Sequence, residues 1–243
     1  MEIYIISAYF KIKSKKRHEW YLPHLIRFVK NVTGNIMFFT TQDVVDELNL
    51  YASTSHITFV ILDINELGTF KNKNFWAKHY SLDPERYHSP ELGSIWYEKK
   101  EFVLRVINNN SDTSNNIYIW CDAGCVRDDL SSTALGSFGK RRVCLPDDKI
   151  HLQKVCDYTK QAFYTFGGGS IGIACAIMAG TPRAWVEYKS LYDKTLLSYD
   201  TENICGISDQ YITMSCIDKN PTLFKLYNDK TRVNEWFKFL EIL

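Results

Sequence analysis

A chain of 243 residues is long enough to build one sizeable core, since single cores grow to roughly 250 residues before they split. Hydrophobic residues make up 45% and aromatics 14%, which excludes a disordered chain. With 29 Lys and Arg against 28 Asp and Glu, the net charge of +1 excludes a general attraction to nucleic acid or anionic membranes.

The first half alternates. EIYIISAYF (2–10) reads as a buried strand, YLPHLIRFVKNV (21–32) as a helix and NIMFFT (35–40) as a short strand. TQDVVDELNLYA (41–52) reads as a helix capped by Thr41, and ITFVILDI (57–64) as another strand. This βαβαβ order predicts a parallel sheet with helices on both faces, whose ligands bind beyond the carboxyl ends of the strands. The basic run KIKSKKR (11–17) falls in the loop after the first strand, as a solvated loop or as a contact to a phosphate-bearing ligand or acidic acceptor. Residues 65–90 lack clear periodicity but carry Phe75, Trp76, His79, Tyr80, Tyr87 and His88, which suggests an ordered loop over a pocket.

PELGSIWYEKKEFVLRVINNN (90–110) gives a long amphipathic helix with an apolar stripe of Leu92, Ile95, Trp96, Val103, Val106 and Ile107. Helical spacing puts Lys99 on that stripe, with Lys100 and Glu101 off it. Such a lysine either snorkels to the rim or brings its ammonium to a buried anion, a ligand phosphate or the carboxylate of the next strand. That strand, NIYIWCDAG (116–124), drives Asp122 to the end of an apolar run. A buried, unpaired carboxylate costs several kcal/mol, so a metal ion or a cationic side chain must pair with it.

Cys121 and Cys125 flank Asp122 without a second pair at zinc-ligand spacing, and the seven scattered cysteines read as reduced thiols. No glycine fingerprint of the dinucleotide-binding kind follows a strand, and no GxxxxGK[ST] loop occurs. In AFYTFGGGSIGIACAIMAG (162–180), three glycines permit close approach of a ligand to the backbone, or form a plain turn. Thr181 and Pro182 supply N-cap and N1 for a helix over 182–197, and Ser208 caps a helix in GISDQYITMSCIDKNP (206–221). Asp209 in its first turn has a structural explanation in the helix dipole, worth about 0.3–1 kcal/mol. The opening strand has no signal-peptide features, and the most apolar stretch, SIGIACAIMAG, is shorter than the roughly 18 residues that span a bilayer. A cytoplasmic protein is expected.

Five pieces in chain order, ISAYF, IWYEKKEFVLRVINNN, WCDAGCVR, GGGSIG and SDQ followed by NPTLFKLY, resemble the HtrL/YibB-like family, which looks like GT-A type glycosyltransferases. The resemblance implies a single α/β GT-A-like domain over 1–243. Its mostly parallel central sheet is flanked by helices, with a Rossmann-like nucleotide-binding half (1–124) and an acceptor and donor-sugar half (125–243). Asp122 would stand as the last acid of a DxD-like motif holding Mn²⁺ or Mg²⁺ on the donor's diphosphate, with Lys99 and Arg127 adding positive charge. Ser7 and Tyr9 would lie at the base and ribose, and Gly168 and Gly169 would border the donor sugar. Asp209 would be the general base, with Gln210 beside it holding sugar hydroxyls.

Departures from that pattern are Trp120 where a first acid would stand and no histidine after His151. Asp128, Asp218, Asp229 or water could complete a metal shell. The implied function is transfer of a sugar from a nucleotide-sugar to a glycan acceptor in surface glycan synthesis, without nucleic-acid partners, its stereochemistry open although a carboxylate base at Asp209 leans towards inversion. The alternative is a catalytically silent nucleotide- or glycan-binding protein of the same fold. A two-metal phosphoesterase ranks last, because the six histidines do not cluster.

Overall fold

The computed structural model describes residues 2–12, 16–52, 56–69, 71–85, 87–110, 116–128, 145, 147–159, 171–228 and 239. Side-chain alternation along β1 (Ile3–Tyr9) sets the layering, because successive residues of a strand point to opposite faces. Ile5 joins one core with Leu25, Phe28 and Val29 of α1 (His18–Asn31) and Val44 and Leu48 of α2 (Gln42–Asn49). Ile6 and Phe10 join a second core on the other face. It is built from α4 (Pro90–Asn109), α5 (Pro182–Thr201) and α6 (Asp209–Lys219).

The sheet runs β3-β2-β1-β4-β6-β5-β7, with β2 at Asn35–Thr40, β3 at Ile57–Ile61, β4 at Ile117–Cys121, β5 at Ile150–Lys154, β6 at Ile173–Gly180 and β7 at Phe224–Tyr227. β1 pairs in parallel with β2 and β4, β2 with β3, and β5 with β7, while β6 runs antiparallel to β4 and β5. The expected single α/β domain with a mostly parallel sheet between helices is what forms. From β1 the chain builds outward through β2 and β3, then crosses by α4 to β4 on the other side of β1. Strand order therefore reverses between β1 and β4, the place where open α/β sheets leave a crevice at their carboxyl edge.

Three elements differ from the sequence reading. Residues 65–90 are not a loop throughout: α3 (Lys73–Ser81) forms there after a 3-10 turn at Ile64–Glu66. Its buried side chains, Trp76 and His79, are too few to print a periodic stripe. β5 (IHLQK) and β7 (FKLY) are short and mix polar with apolar residues, so their strand character comes from pairing with each other and with β6.

The N-caps fall at Thr41, Thr181 and Ser208 as read, but among these only the Thr181 hydroxyl caps its helix, accepting from Ala184 N–H at 3.3 Å. The six described cysteines are free. Among the described residues no helix is long and apolar enough to cross a membrane.

α4 is buried nearly all round, which explains why the stripe alone did not capture it. Gly93 is required by close approach, since a Cβ there would lie 2.6 Å from Ile207 Cγ1 and 3.1 Å from the Trp76 ring. Lys100, off the stripe, is nevertheless 2% exposed. Its ammonium rests 3.1 Å from the Tyr97 ring centroid and 4.0 Å from that of Tyr192, donates to the Tyr97 carbonyl at 2.8 Å, and lies 3.9 Å from Asp193. Burial pulls its pKa down to about 7, against the opposing pull of Asp193 and Glu101.

Because the unfolded chain keeps this lysine protonated up to about 10.4, the folded state gives up a proton between the two values and gains relative stability as pH rises through that window. Lys100→Met should therefore compare more favourably with the native chain at pH 6 than at pH 9, read from urea midpoints. A pH-independent difference would contradict the assignment.

Candidate functional site

Trp120 and Asp122 are two residues apart on an extended segment, so both side chains project to the face covered by α4. Backbone bonds fix the turn: Asp122 N–H donates to Ala176 O at 2.8 Å, and Cys125 N–H to Asp122 O at 3.0 Å. The indole N–H of Trp120 donates to Asp122 Oδ1 at 2.7 Å. From α4, the Lys99 ammonium reaches the same Oδ1 at 3.1 Å, approaches Oδ2 at 3.5 Å, and donates to the Cys175 carbonyl of β6 at 3.2 Å. From the first turn of α6, Asp209 Oδ2 meets that ammonium at 2.8 Å. The alternative that Lys99 meets the carboxylate of the next strand is thus the one found, and a second carboxylate joins it.

Exposure separates the two acids. The Asp122 side chain is 34% accessible, whereas Asp209 is 7% and Lys99 6%. Burial works against the Lys99 ammonium, but Asp122 and then Asp209 outweigh it and hold the group above the usual lysine range. Burial pushes the Asp209 carboxyl up, with Lys99 pulling it back only in part.

The segment before Asp209 is pinned by His79 of α3, whose Nδ1 accepts from Gly206 N–H at 2.9 Å. Gln210 donates its amide to Ile173 O at 3.0 Å. Trp120, His79 and the Cys175 carbonyl were not singled out as site groups from the sequence. Only Trp120 had a readable signal, its two-residue spacing from Asp122.

The other expected residues lie around this centre. Ser7 is wholly buried and donates to the Cys121 carbonyl at 2.6 Å, tying β1 to β4 at the point where strand order reverses. Tyr9 is half-buried on the α1 side, its hydroxyl bonded to His18 Nδ1 at 2.9 Å. Arg127 is exposed on the turn after β4, with Nε donating to Gly124 O at 3.2 Å and its guanidinium 5.3 Å from the Trp20 ring centroid. Lys11 of the basic run pairs with Glu47 at 2.6 Å and Asp43 at 2.8 Å. Gly168, Gly169 and Asp229 lie outside the described residues. Asp218 stands nine residues further along α6 than Asp209, roughly 14 Å of helical rise.

The cluster of one ammonium and two carboxylates carries a formal charge of −1, so a diphosphate would be repelled unless a cation came with it. Asp122 Oδ2 is the oxygen left least engaged, and one carboxylate plus substrate phosphates is an ordinary way to hold Mg²⁺ or a similar ion. The residues fit a divalent ion carried by a phosphate-bearing ligand. Away from the Lys99 cluster, Asp83, Glu85 and His88 form the one group among the described residues whose potential ligand atoms lie within 4.8 Å of one another, and these could hold a metal. His88 Nδ1 stands 2.8 Å from Asp83 Oδ2 and Nε2 3.5 Å from Glu85 Oε2, so a protonated imidazole satisfies both acids equally well.

A family model described as "Bacterial protein of unknown function (HtrL_YibB)" matches residues 5–243. No curated protein matches the chain. Among solved structures, CMP:2-keto-3-deoxy-manno-octonic acid synthetase complexed with CTP is similar at 8% identity and a TM-score of 0.48, covering 100% of this chain and 96% of that one. The glycosyltransferase GlyE of Streptococcus pneumoniae TIGR4 is similar at 10% identity and a TM-score of 0.44, over 93% of this chain and 45% of that one.

Lys99→Met leaves Asp209 buried without its counter-charge, and removing one partner of such a pair costs about 3–5 kcal/mol near neutral pH. Asp209 then titrates higher still, so the folded state takes up a proton before the unfolded chain does as pH falls. The deficit against the native chain should narrow between pH 7 and 5 in urea denaturation. A constant gap would mean that Asp209 is not the group left uncompensated.

Proposed function

The chain belongs to the HtrL_YibB family, and from that premise we propose that it is a glycosyltransferase moving a sugar from a nucleotide-sugar donor to a hydroxyl of a glycan acceptor. The observation that carries this reading is the Lys99 ammonium held between Asp122 and Asp209 at the carboxyl edge of β4, beside the reversal of strand order. It agrees with the resemblance of WCDAG and SDQ to the metal-binding and base motifs of GT-A enzymes.

Residues 1–124 would receive the nucleotide, with the ring of Tyr9 near the base and Ser7 acting indirectly by fixing β1 against β4. Residues 125–243 would receive the donor sugar, bordered by Gly168 and Gly169, and the acceptor, in cytoplasmic assembly of a surface glycan. Lys99 and Arg127 would add positive charge to offset that developing on the leaving diphosphate. Asp122 would hold Mn²⁺ or Mg²⁺, and such an ion would supply Lewis-acid stabilisation of the same charge.

Asp209 accepts the proton of the acceptor hydroxyl while the hydroxyl oxygen bonds to the anomeric carbon. The bond from that carbon to the diphosphate breaks, and the nucleoside diphosphate leaves with the bonding pair. A single displacement of this kind inverts the anomeric configuration. Burial favours the proton-accepting role, because a raised carboxyl pKa makes a stronger base. Gln210 would orient a sugar hydroxyl. Trp120 in place of a first acid favours the second reading, a binding protein that retains the fold without turnover.

A thermal-shift panel of nucleotide sugars with and without Mn²⁺ separates these. A donor at a hundredfold excess over its Kd adds about 2.7 kcal/mol of stability, and silence towards every uridine, guanosine, cytidine and thymidine diphosphosugar would defeat the transferase reading. With a donor in hand, Asp209→Asn should lower kcat by about 10²–10⁴-fold while leaving donor affinity nearly unchanged. The acid limb of kcat/KM should lie above the ordinary aspartate value of about 3.9. Donor binding without transfer or hydrolysis would leave the binding protein as the answer.

A further inference from the structure

A cavity of about 400 Å³ opens between α3, α4, α5 and the residues Gly68, Thr69 and Asn72. Neither Lys99, Asp122 nor Asp209 lines it. Its walls are Phe75 and Trp76 of α3, Tyr97, Glu98, Glu101 and Arg105 of α4, and Asp193 and two leucines of α5. The size is that of a small-molecule site.

The charges on its wall are unequal in their partners. Glu101 and Asp193 share the Lys189 ammonium at 3.0 Å and 2.5 Å, and Asp193 also accepts from the Tyr97 hydroxyl at 2.7 Å. Glu98 has no ion-pair partner among the described residues, although the Lys100 ammonium acts on it through space. It is 2% exposed, its Oε1 accepts from the backbone N–H of Thr69 at 3.1 Å and from the Thr69 hydroxyl, and its buried Oε2 has no hydrogen-bond partner among the described residues. Arg105 stands seven residues further along α4, roughly 10 Å of rise, too far to neutralise Glu98 by contact. A buried carboxylate oxygen without a donor is costly, and a ligand that supplies one recovers that cost on binding.

Three aromatic rings share the cavity wall with Glu98, with Trp76 set edge-on to both Phe75 and Tyr97 at centroid distances of 5.1 Å and 6.0 Å. Aromatic faces attract ammonium groups, and the fold already uses the Tyr97 ring for the ammonium of Lys100. The guanidinium of Arg105 at the far end disfavours a second positive charge on the ligand.

We propose that this cavity binds a small organic monoammonium ion, its N–H groups donating to Glu98 Oε2 and its alkyl body packed against Phe75, Trp76 and Tyr97. The site is separate from the one assigned to glycosyl transfer and does not depend on that reaction.

The experiment uses butylammonium chloride as probe and 1-butanol as its neutral counterpart of similar size. Binding is followed by calorimetry and by the indole N–H resonance of Trp76, identified through Trp76→Phe. Butylammonium should bind saturably and shift that resonance, with 1-butanol at least tenfold weaker. Glu98→Gln keeps an acceptor for Thr69 and should weaken butylammonium at least tenfold. Equal binding of the alcohol, absence of saturable binding, or unchanged affinity in a folded Glu98→Gln protein each overturns the proposal. Should that variant fail to fold, the alcohol comparison on the native protein decides alone.

Discussion

One ammonium group holds together parts of the chain that are far apart in sequence. Lys99 comes from the helix that crosses over the sheet, Asp122 from the end of β4 and Asp209 from the start of α6, and the three meet within ion-pair distance. Asp209 is tolerable at its depth only because Lys99 is there, and Lys99 is tolerable only because two carboxylates oppose its desolvation. The pairing therefore constrains how α4 and α6 lie on the sheet as well as what the edge of β4 can do chemically.

Sheet topology explains why that edge is the candidate site. The reversal of order between β1 and β4 is where an open sheet of this kind has its crevice, and the Ser7 hydroxyl bonded to Cys121 O ties the two strand ends together there. The two acids differ in exposure. Asp122 reaches solvent and can meet a charged ligand, while Asp209 is kept where a proton is more welcome. Trp120, standing where a first acid would be expected, contributes an N–H that fixes Asp122 in place. It orients the carboxylate without adding negative charge.

Much of this was readable from residues. The βαβαβ opening, the long α4 and the apolar run ending at Asp122 carry strong periodicity, and a lysine on an apolar stripe ahead of that acid left an ion pair among its open readings. Asp209 was readable only through resemblance, because an acid in a helix's first turn has a sufficient explanation in the dipole. That it faces Lys99 is a tertiary fact. α3, β5 and β7 escaped because their patterns are short, and what makes them regular is the partner they pack against. The burial of Lys100 was hidden for a related reason: helical spacing identifies one buried face, and α4 has several.

Lys100 also gives the interior a property that few folded cores have. Its amine is enclosed by Tyr97 and Tyr192, and burial draws its pKa down. With 2% of the residue exposed, an amine-directed reagent meets it only where α4 and α5 part.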